Sequence, residues 1–153
     1  MQWEKINVCV QKWMKQARKI ILEGRTKELC VEEKTSRCDL VTNVDKFIEK
    51  FYVDRIRETF PNSKILGEEG EAVKGLDNFK GLLWIIDPID GTMNFVKQHD
   101  HFASMIAVCE NGIEKLGYIL DGTEDKLYWG GPECGVFCND QKVEPPINLP
   151  LEV

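Results

Sequence analysis

The sequence predicts an α+β fold, with two N-terminal helices on a largely antiparallel sheet. Apolar residues recur at steps of three and four through residues 3–21 and 44–60, which is the period of an amphipathic helix. From residue 102 onward, short apolar runs alternate with turn dipeptides, which is typical of strands joined by hairpins. Two helices before a largely antiparallel sheet give an α+β layer.

The first helix is predicted to end near Gly24, and its tryptophans are assigned to the core. A short strand over residues 29–33 and a polar link over residues 34–39 follow it. The second helix ends at a Pro-Asn-Ser turn over residues 61–63 and has Asp45 in its first turn. A carboxylate there stabilises a helix N-terminus by less than about 1 kcal/mol. The pattern leaves open whether Asp45 does this or serves catalysis.

Two carboxylates directly after an apolar run predict a metal and phosphate site. Residues 82–86 are continuously apolar, which predicts a strand covered on both faces, and Pro88 ends its hydrogen-bond ladder. Asp87 and Asp90 therefore lie at the strand's end, where carboxylate oxygens suit divalent cations. An EF-hand loop is excluded, because positions that should carry oxygen ligands hold Ile86 and Pro88.

A helix that begins after Asp90 would place phosphate beside these cations. The N–H groups of Gly91 and Thr92 would then lie at its positive end, where phosphate oxygens bind readily. A second acidic cluster, over residues 67–70, follows another short apolar run and offers further oxygen ligands. Two acidic strand ends can share metal ions, although the Glu-Glu pair that begins at Glu68 is, by itself, more often a solvated acidic turn.

The second half of the sequence predicts an antiparallel meander. Asn-Gly, Asp-Gly and Asn-Asp turns separate its short strands. The predicted strands cover residues 102–109, 113–120, 126–129, 136–138 and 142–143.

The composition argues against several classes of function. With 153 residues, 42% apolar and 30% charged, the chain is long enough to bury one core. A net charge of −6 without basic runs argues against nucleic acid as a partner. No apolar run approaches the roughly 20 residues that span a bilayer, and the N-terminus does not resemble a secretion signal. We therefore expect a cytoplasmic protein that does not bind membranes.

The cysteines and histidines are not expected to form a metal site. The six cysteines are scattered among apolar positions and are expected to be reduced. Cys134 and Cys138 are followed by no second Cys or His pair that would complete a zinc site. His99 and His101 flank Asp100 and are expected to lie in a loop, because magnesium prefers oxygen ligands.

Three motifs in order resemble the inositol monophosphatase family of magnesium-dependent, lithium-sensitive phosphatases. Residues 84–95, WIIDPIDGTMNF, are similar to its signature W-I-(I/V)-D-P-(I/L)-D-G-T-x-N-F. Residues 67–69 are similar to its G-E-E element, and residues 39–45 to its D-L-V-T-x-x-D element. Met93 replaces the threonine common in animal members, and bacterial members carry this methionine too.

The resemblance implies the layered αβαβα sandwich of sugar-type phosphatases, with residues 1–153 as its N-terminal part and first layers. It does not reach the family's later W-D-x-A-A/G motif, because no tryptophan here precedes an aspartate. That motif supplies another acidic metal ligand, and most of the pocket for the alcohol lies in the same half. We therefore expect either a truncated product or a chain that needs a partner segment.

The resemblance also implies a role for each site residue. Glu68, Asp87 and the Ile89 carbonyl would hold a first magnesium ion, Asp87 and Asp90 a second, and Glu68 would help to hold a third. The residues implied in catalysis are Asp45, Thr92 and Glu68. Those implied in substrate binding are Asp90, Gly91 and Thr92, and those implied beside the site are Lys34 and Asp39.

The implied reaction is hydrolysis of a phosphate monoester of a small alcohol or sugar by a magnesium-activated water, with two or three ions. Inositol phosphates, fructose 1,6-bisphosphate, nucleotide 3′-phosphates and NADP are substrates within the family. The full-length form is implied to be a homodimer. A non-catalytic metal- or phosphate-binding fragment, or an interaction module, stays open as an alternative, because half a site can bind without turnover.

Overall fold

The computed structural model describes residues 2–26, 29–33, 40–68 and 80–147, without side-chain detail for residues 40 and 41. These residues form three helices, α1 (Gln2–Gly24), α2 (Asn43–Thr59) and α3 (Thr92–Gln98). They also form nine strands, β1 (Val31–Glu33), β2 (Leu40–Thr42), β3 (Lys64–Gly67), β4 (Leu82–Asp90), β5 (Ala103–Glu110), β6 (Ile113–Asp121), β7 (Lys126–Gly131), β8 (Gly135–Cys138) and β9 (Gln141–Lys142). The predicted α+β class is confirmed, and α3 is the helix expected after Asp90.

Seven strands form the main sheet, in the order β3-β4-β5-β6-β7-β8-β9. Within it β3 and β4 are parallel, and every other neighbouring pair is antiparallel. Each strand of the predicted meander has its counterpart among β5 to β9. Strands β1 and β2 pair separately with each other, and the predicted polar link between them lies outside the described residues.

Helices α1 and α2 pack against one face of the main sheet, and together they form one apolar core. The helical stripes predicted from the sequence supply most of its helical side, although Phe47 of the α2 stripe is 58% exposed. The Trp13 and Trp84 ring centroids lie 6.2 Å apart, and those of Phe60 and Trp84 lie 5.3 Å apart. The assignment of Trp13 to the core is confirmed.

Strand β4 contains an irregularity that sets the direction of its two aspartates. Asp87 pairs with Met105 and Asp90 with Ala103, so three steps along β4 match two along β5. Side chains alternate along a regular strand, which would put Asp87 and Asp90 on opposite faces. The extra residue is a β-bulge, and it returns Asp90 to the face that carries Asp87. Pro88 therefore does not end the strand as predicted, because pairing resumes beyond it at Asp90.

The second face of the sheet, on the side away from α1 and α2, is apolar and accessible. The prediction that β4 is covered on both faces is wrong for the residues described, because Ile85 is 38% exposed. Other large apolar residues exposed on this outer face are Ile119, Tyr128 and Val136. None of the helices within the described ranges is long and apolar enough to cross a membrane.

Candidate active site

The parallel pairing of β3 and β4 brings the two acidic clusters together. Parallel strands end at the same edge of a sheet, and Gly67 pairs with Ile86 at that edge. The backbone N–H of Glu68 donates to the Ile86 carbonyl at 3.2 Å, which continues the pairing by one residue. Glu68 is thereby held beside Asp87.

The carboxylates at this edge repel one another. Burial, a hydrogen bond with Glu68 and the charges of Glu68, Asp90 and Asp45 together raise the pKa of Asp87 to about 7, and burial is the largest of these causes. Two carboxyl groups share a hydrogen bond only when one of them carries a proton. A bound cation would favour the ionised form of both.

Asp87 presents an oxygen atom that fits such a cation. Its Oδ1 atom is buried and has no hydrogen-bond partner in the structure, which is costly for a carboxylate oxygen unless a ligand satisfies it. Glu68 and Asp90 are exposed beside it and offer further carboxylate oxygens, which magnesium prefers. The donor set therefore fits magnesium.

The described acidic side chains do not surround a single metal position. Among the described residues, no group of three or more His, Cys, Asp or Glu side chains is placed to hold a metal ion together. Glu69, the second glutamate of the cluster, lies outside those residues, as do Lys34 and Asp39. The placement of these three residues relative to the site stays a prediction.

Asp45 caps helix α2 and also contacts Thr92, whereas its part in catalysis stays a prediction. Its Oδ2 atom accepts hydrogen bonds from the Thr42 backbone N–H at 2.9 Å and from the Thr42 hydroxyl. Thr42 in turn accepts from the Asp45 N–H at 3.2 Å, so the pair forms a capping box at the start of α2. The Oδ1 atom accepts the Thr92 hydroxyl at 2.9 Å. One carboxyl group thus joins the helix cap to the strand end.

The Thr92 hydroxyl lies between two acceptors. It is 2.9 Å from Asp45 Oδ1 and 2.9 Å from the Ile89 carbonyl oxygen. Its single proton satisfies one acceptor at a time, whereas its lone pairs stay available to a water molecule. Asp45 is fully buried, and burial raises its pKa, although the hydrogen bonds from Thr42 and Thr92 oppose this.

Gly91 makes the turn from β4 into α3. Its φ of 81° lies in the left-handed region, and a Cβ atom there would lie 2.9 Å from the His101 carbonyl oxygen. Helix α3 begins at the next residue, so the N–H groups of Gly91 and Thr92 lie at its start, where the sequence predicts phosphate binding. His99 and His101 lie in the loop that follows α3, as expected.

Two buried residues that contact this site were given no role from the sequence. Thr42 is 1% exposed and caps α2, and Glu49 is 7% exposed on the same helix. The signal for Thr42 was its place three residues before Asp45, the spacing of a capping box. The signal for Glu49 was its position between Ile48 and Tyr52 on the apolar stripe of α2, where a charged residue is unusual.

These observations define a class of protein: an α+β layer with acidic residues gathered at the ends of two parallel strands, and beside them a buried aspartate that is hydrogen-bonded to Thr92. The sequence matches the inositol monophosphatase family over residues 2–150. The inositol-1-monophosphatase of Bacillus subtilis (strain 168) is 46% identical over 143 residues, which are 94% of this chain and 54% of that protein. The chain belongs to the inositol monophosphatase family.

Solved structures agree with this assignment. An IMPase/NADP phosphatase complexed with Mg²⁺ and phosphate superposes with a TM-score of 0.89 at 35% identity, covering 97% of this chain and 56% of that chain. A dual specific IMPase/NADP phosphatase bound with D-inositol-1-phosphate superposes with a TM-score of 0.87 at 35% identity, covering 97% and 55%. The chain thus spans about half the length of the proteins it matches.

Proposed function

We propose that a protein containing this chain hydrolyses the phosphate monoester of a small alcohol or sugar with the aid of magnesium. The observation that carries the proposal is the buried, unpartnered Oδ1 atom of Asp87 beside Glu68 and Asp90. The solved relatives that hold Mg²⁺ with phosphate, or D-inositol-1-phosphate, support the same chemistry. Residues 1–153 would form the N-terminal part of the domain.

Two or three magnesium ions would be held at this edge of the sheet. Glu68, Asp87, the Ile89 carbonyl and Asp90 are the ligands that this chain would supply. Bound there, the ions would neutralise the phosphoryl oxygens and lower the pKa of a water molecule. Asp90, Gly91 and Thr92 would contact the phosphate, with the backbone N–H groups of the last two as donors.

Thr92 and Asp45 would orient the attacking water. When the Thr92 hydroxyl donates to Asp45 Oδ1, its lone pairs are free to accept a hydrogen bond from water. Once the Ile89 carbonyl binds a cation, that carbonyl is a poorer acceptor, and Asp45 becomes the preferred partner of Thr92. Asp45 itself is fixed by Thr42, so the orientation derives from the start of α2.

A second candidate is a non-catalytic metal- or phosphate-binding fragment. It is favoured by the exposed outer face and by the match to about half of each relative. Metal-dependent turnover of a generic phosphate ester separates the two candidates.

By family resemblance, we further propose lithium sensitivity, a cytoplasmic location and a homodimer for the complete protein.

Magnesium is expected to stabilise the folded chain. Ligand linkage predicts about 2.7 kcal/mol when free metal is a hundredfold above its dissociation constant. Asp87→Asn should remove most of this stabilisation, because it replaces the carboxylate shared by two proposed ion sites. Thermal melts with and without millimolar magnesium measure it.

The matched control is Asp140→Asn, the same change at an exposed turn residue distant from the site in the sheet. It should respond to magnesium as the unaltered chain does. A melting midpoint that is changed neither by magnesium nor by Asp87→Asn would count against the site.

Thr92→Ala is expected to lower kcat by on the order of a hundredfold and to raise KM by less. The reason is that positioning of the water matters mainly in the transition state. The measurement requires a protein in which the second half of the family domain follows Val153. Thr92→Ser retains the hydroxyl and should retain most of the activity. A rise in KM with unchanged kcat would assign Thr92 to substrate binding alone.

A further inference from the structure

Helix α2 carries two buried acidic residues one turn apart. Asp45 is fully buried and Glu49 is 7% exposed, and both lie on the face that also buries Ile48 and Tyr52. At 1.5 Å of rise per residue, the two backbone positions are about 6 Å apart along the helix axis. Asp45 contacts the end of β4 through Thr92. Glu49 has no role in the chemistry proposed above, and a buried carboxyl group in a helix stripe is costly unless its contacts are specific.

The Glu49 carboxyl group lies against Gly67, the last residue of β3. A Cβ atom built on Gly67 would lie 2.5 Å from the Cδ and Oε1 atoms of Glu49 and 2.8 Å from Oε2. Real Cβ contacts do not occur at such distances, so the carboxyl group occupies the space that any side chain at position 67 would need. The Glu49 side chain and the glycine therefore fit each other.

The same backbone is also held by β4, within the plane of the sheet. Gly67 pairs with Ile86, and the next N–H, that of Glu68, donates to the Ile86 carbonyl at 3.2 Å. The Glu49 carboxyl group lies on the face of β3, in the direction in which a side chain at position 67 would project. The segment that carries Glu68 is thus restrained in the plane of the sheet by β4 and on one face by Glu49.

We propose that Glu49 is a positioning residue for Glu68. One rigid turn of α2 then sets the spacing of the site, because Asp45 holds Thr92 at the end of β4 while Glu49 holds Gly67 at the end of β3. The proposal rests on the proposed function in treating Glu68 as a magnesium ligand. It adds that the ligand is held by packing from α2 as well as by its own strand.

Glu49→Ala in the 153-residue chain tests this with two readouts. Magnesium should bind about tenfold more weakly by calorimetry, the usual scale for loss of a group that orients a ligand. Hydrogen exchange at the Glu68 amide should become about tenfold faster, while the Ile106 amide in β5 keeps its protection, because the loosening is local. Glu58→Ala, on the same helix but with a side chain 74% exposed, should change neither.

A double-mutant cycle separates positioning from general destabilisation. Gly67→Ala should by itself speed exchange at Glu68 and weaken magnesium binding, because the new methyl group collides with Glu49. In the Glu49→Ala background the same substitution should do less harm, which gives a coupling that independent sites do not show. Gly117→Ala, in β6 with open space where the new Cβ atom would lie, is the control.

Several results would overturn the proposal: unchanged Glu68 exchange in Glu49→Ala, equal loss of protection at Ile106, or additivity in the cycle. Glu49→Gln keeps the shape and should stay within about threefold of the wild-type magnesium affinity, so a loss as large as that of Glu49→Ala would also overturn it. If Glu49→Ala does not fold, Gly67→Ala and Glu49→Gln decide whether Glu49 positions Glu68. If the unaltered chain binds no magnesium, the proposed function fails, and exchange at Glu68 still decides the positioning role.

Discussion

Asp90→Asn is expected to lower turnover by on the order of a thousandfold or more, because it removes a charge that would hold a cation against the leaving oxygen. The bulge in β4 directs Asp90 to the same face as Asp87. The assay uses a protein in which the second half of the family domain follows Val153, with inositol monophosphate as substrate. Turnover and magnesium dependence are measured together.

Asp140→Asn provides the matched control, since it makes the same chemical change at an exposed turn. It should leave turnover within about twofold, as most surface substitutions do. Equal and modest effects from Asp90→Asn and Thr92→Ala would contradict the assignment, because they would indicate a structural turn in place of a catalytic one.

Residues 1–153 alone are expected to be a poor phosphatase, at least about a hundredfold below a full-length relative. One of the proposed ions would have only Asp87 and Asp90 as protein ligands, and magnesium keeps its waters unless several anionic oxygens compete for it. The outer face of the sheet, which includes Ile85 and Ile119, is also exposed and should promote self-association.

Purified chain assayed against inositol monophosphate, fructose 1,6-bisphosphate and a chromogenic phosphate ester tests this expectation. Light scattering measures the association, and Ile119→Thr should reduce it, because this exposed residue is one of the larger apolar groups of the outer face. Turnover within about tenfold of a full-length relative would contradict the prediction, and would indicate that association of chains completes the site.

Much of the site could be predicted because its signals are local in the sequence. The apolar run before Asp87 marks a strand, which continues in the structure to Asp90. Glu68 follows a second apolar run in the same way, and parallel pairing brings the two ends together. Such patterns predict the structure well because they depend on residues that are neighbours in the chain.

The features that were missed depend on contacts between distant residues. The space above Gly67 is filled by Glu49 from another element, and periodicity does not reveal which side chain meets which glycine. The exposure of Ile85 likewise depends on what packs against the sheet, because an apolar run reads the same whether one face is covered or two. The hydrogen bond between Asp45 and Thr92, 47 residues further along the chain, likewise lies beyond what periodicity reveals.

The bulge in β4 also gives a meaning to the number of residues between two ligands. In an unbroken strand, carboxylates on one face are separated by one residue, as Asp-x-Asp. Here the spacing is Asp-x-x-Asp, and the additional residue is the extra residue of the β-bulge. Deleting one of the two intervening residues would therefore preserve the facing of Asp87 and Asp90 if the strand became regular. The Asp-x-x-Asp spacing thus reflects the β-bulge in this backbone. A search for similar carboxylate pairs on regular strands should look for Asp-x-Asp.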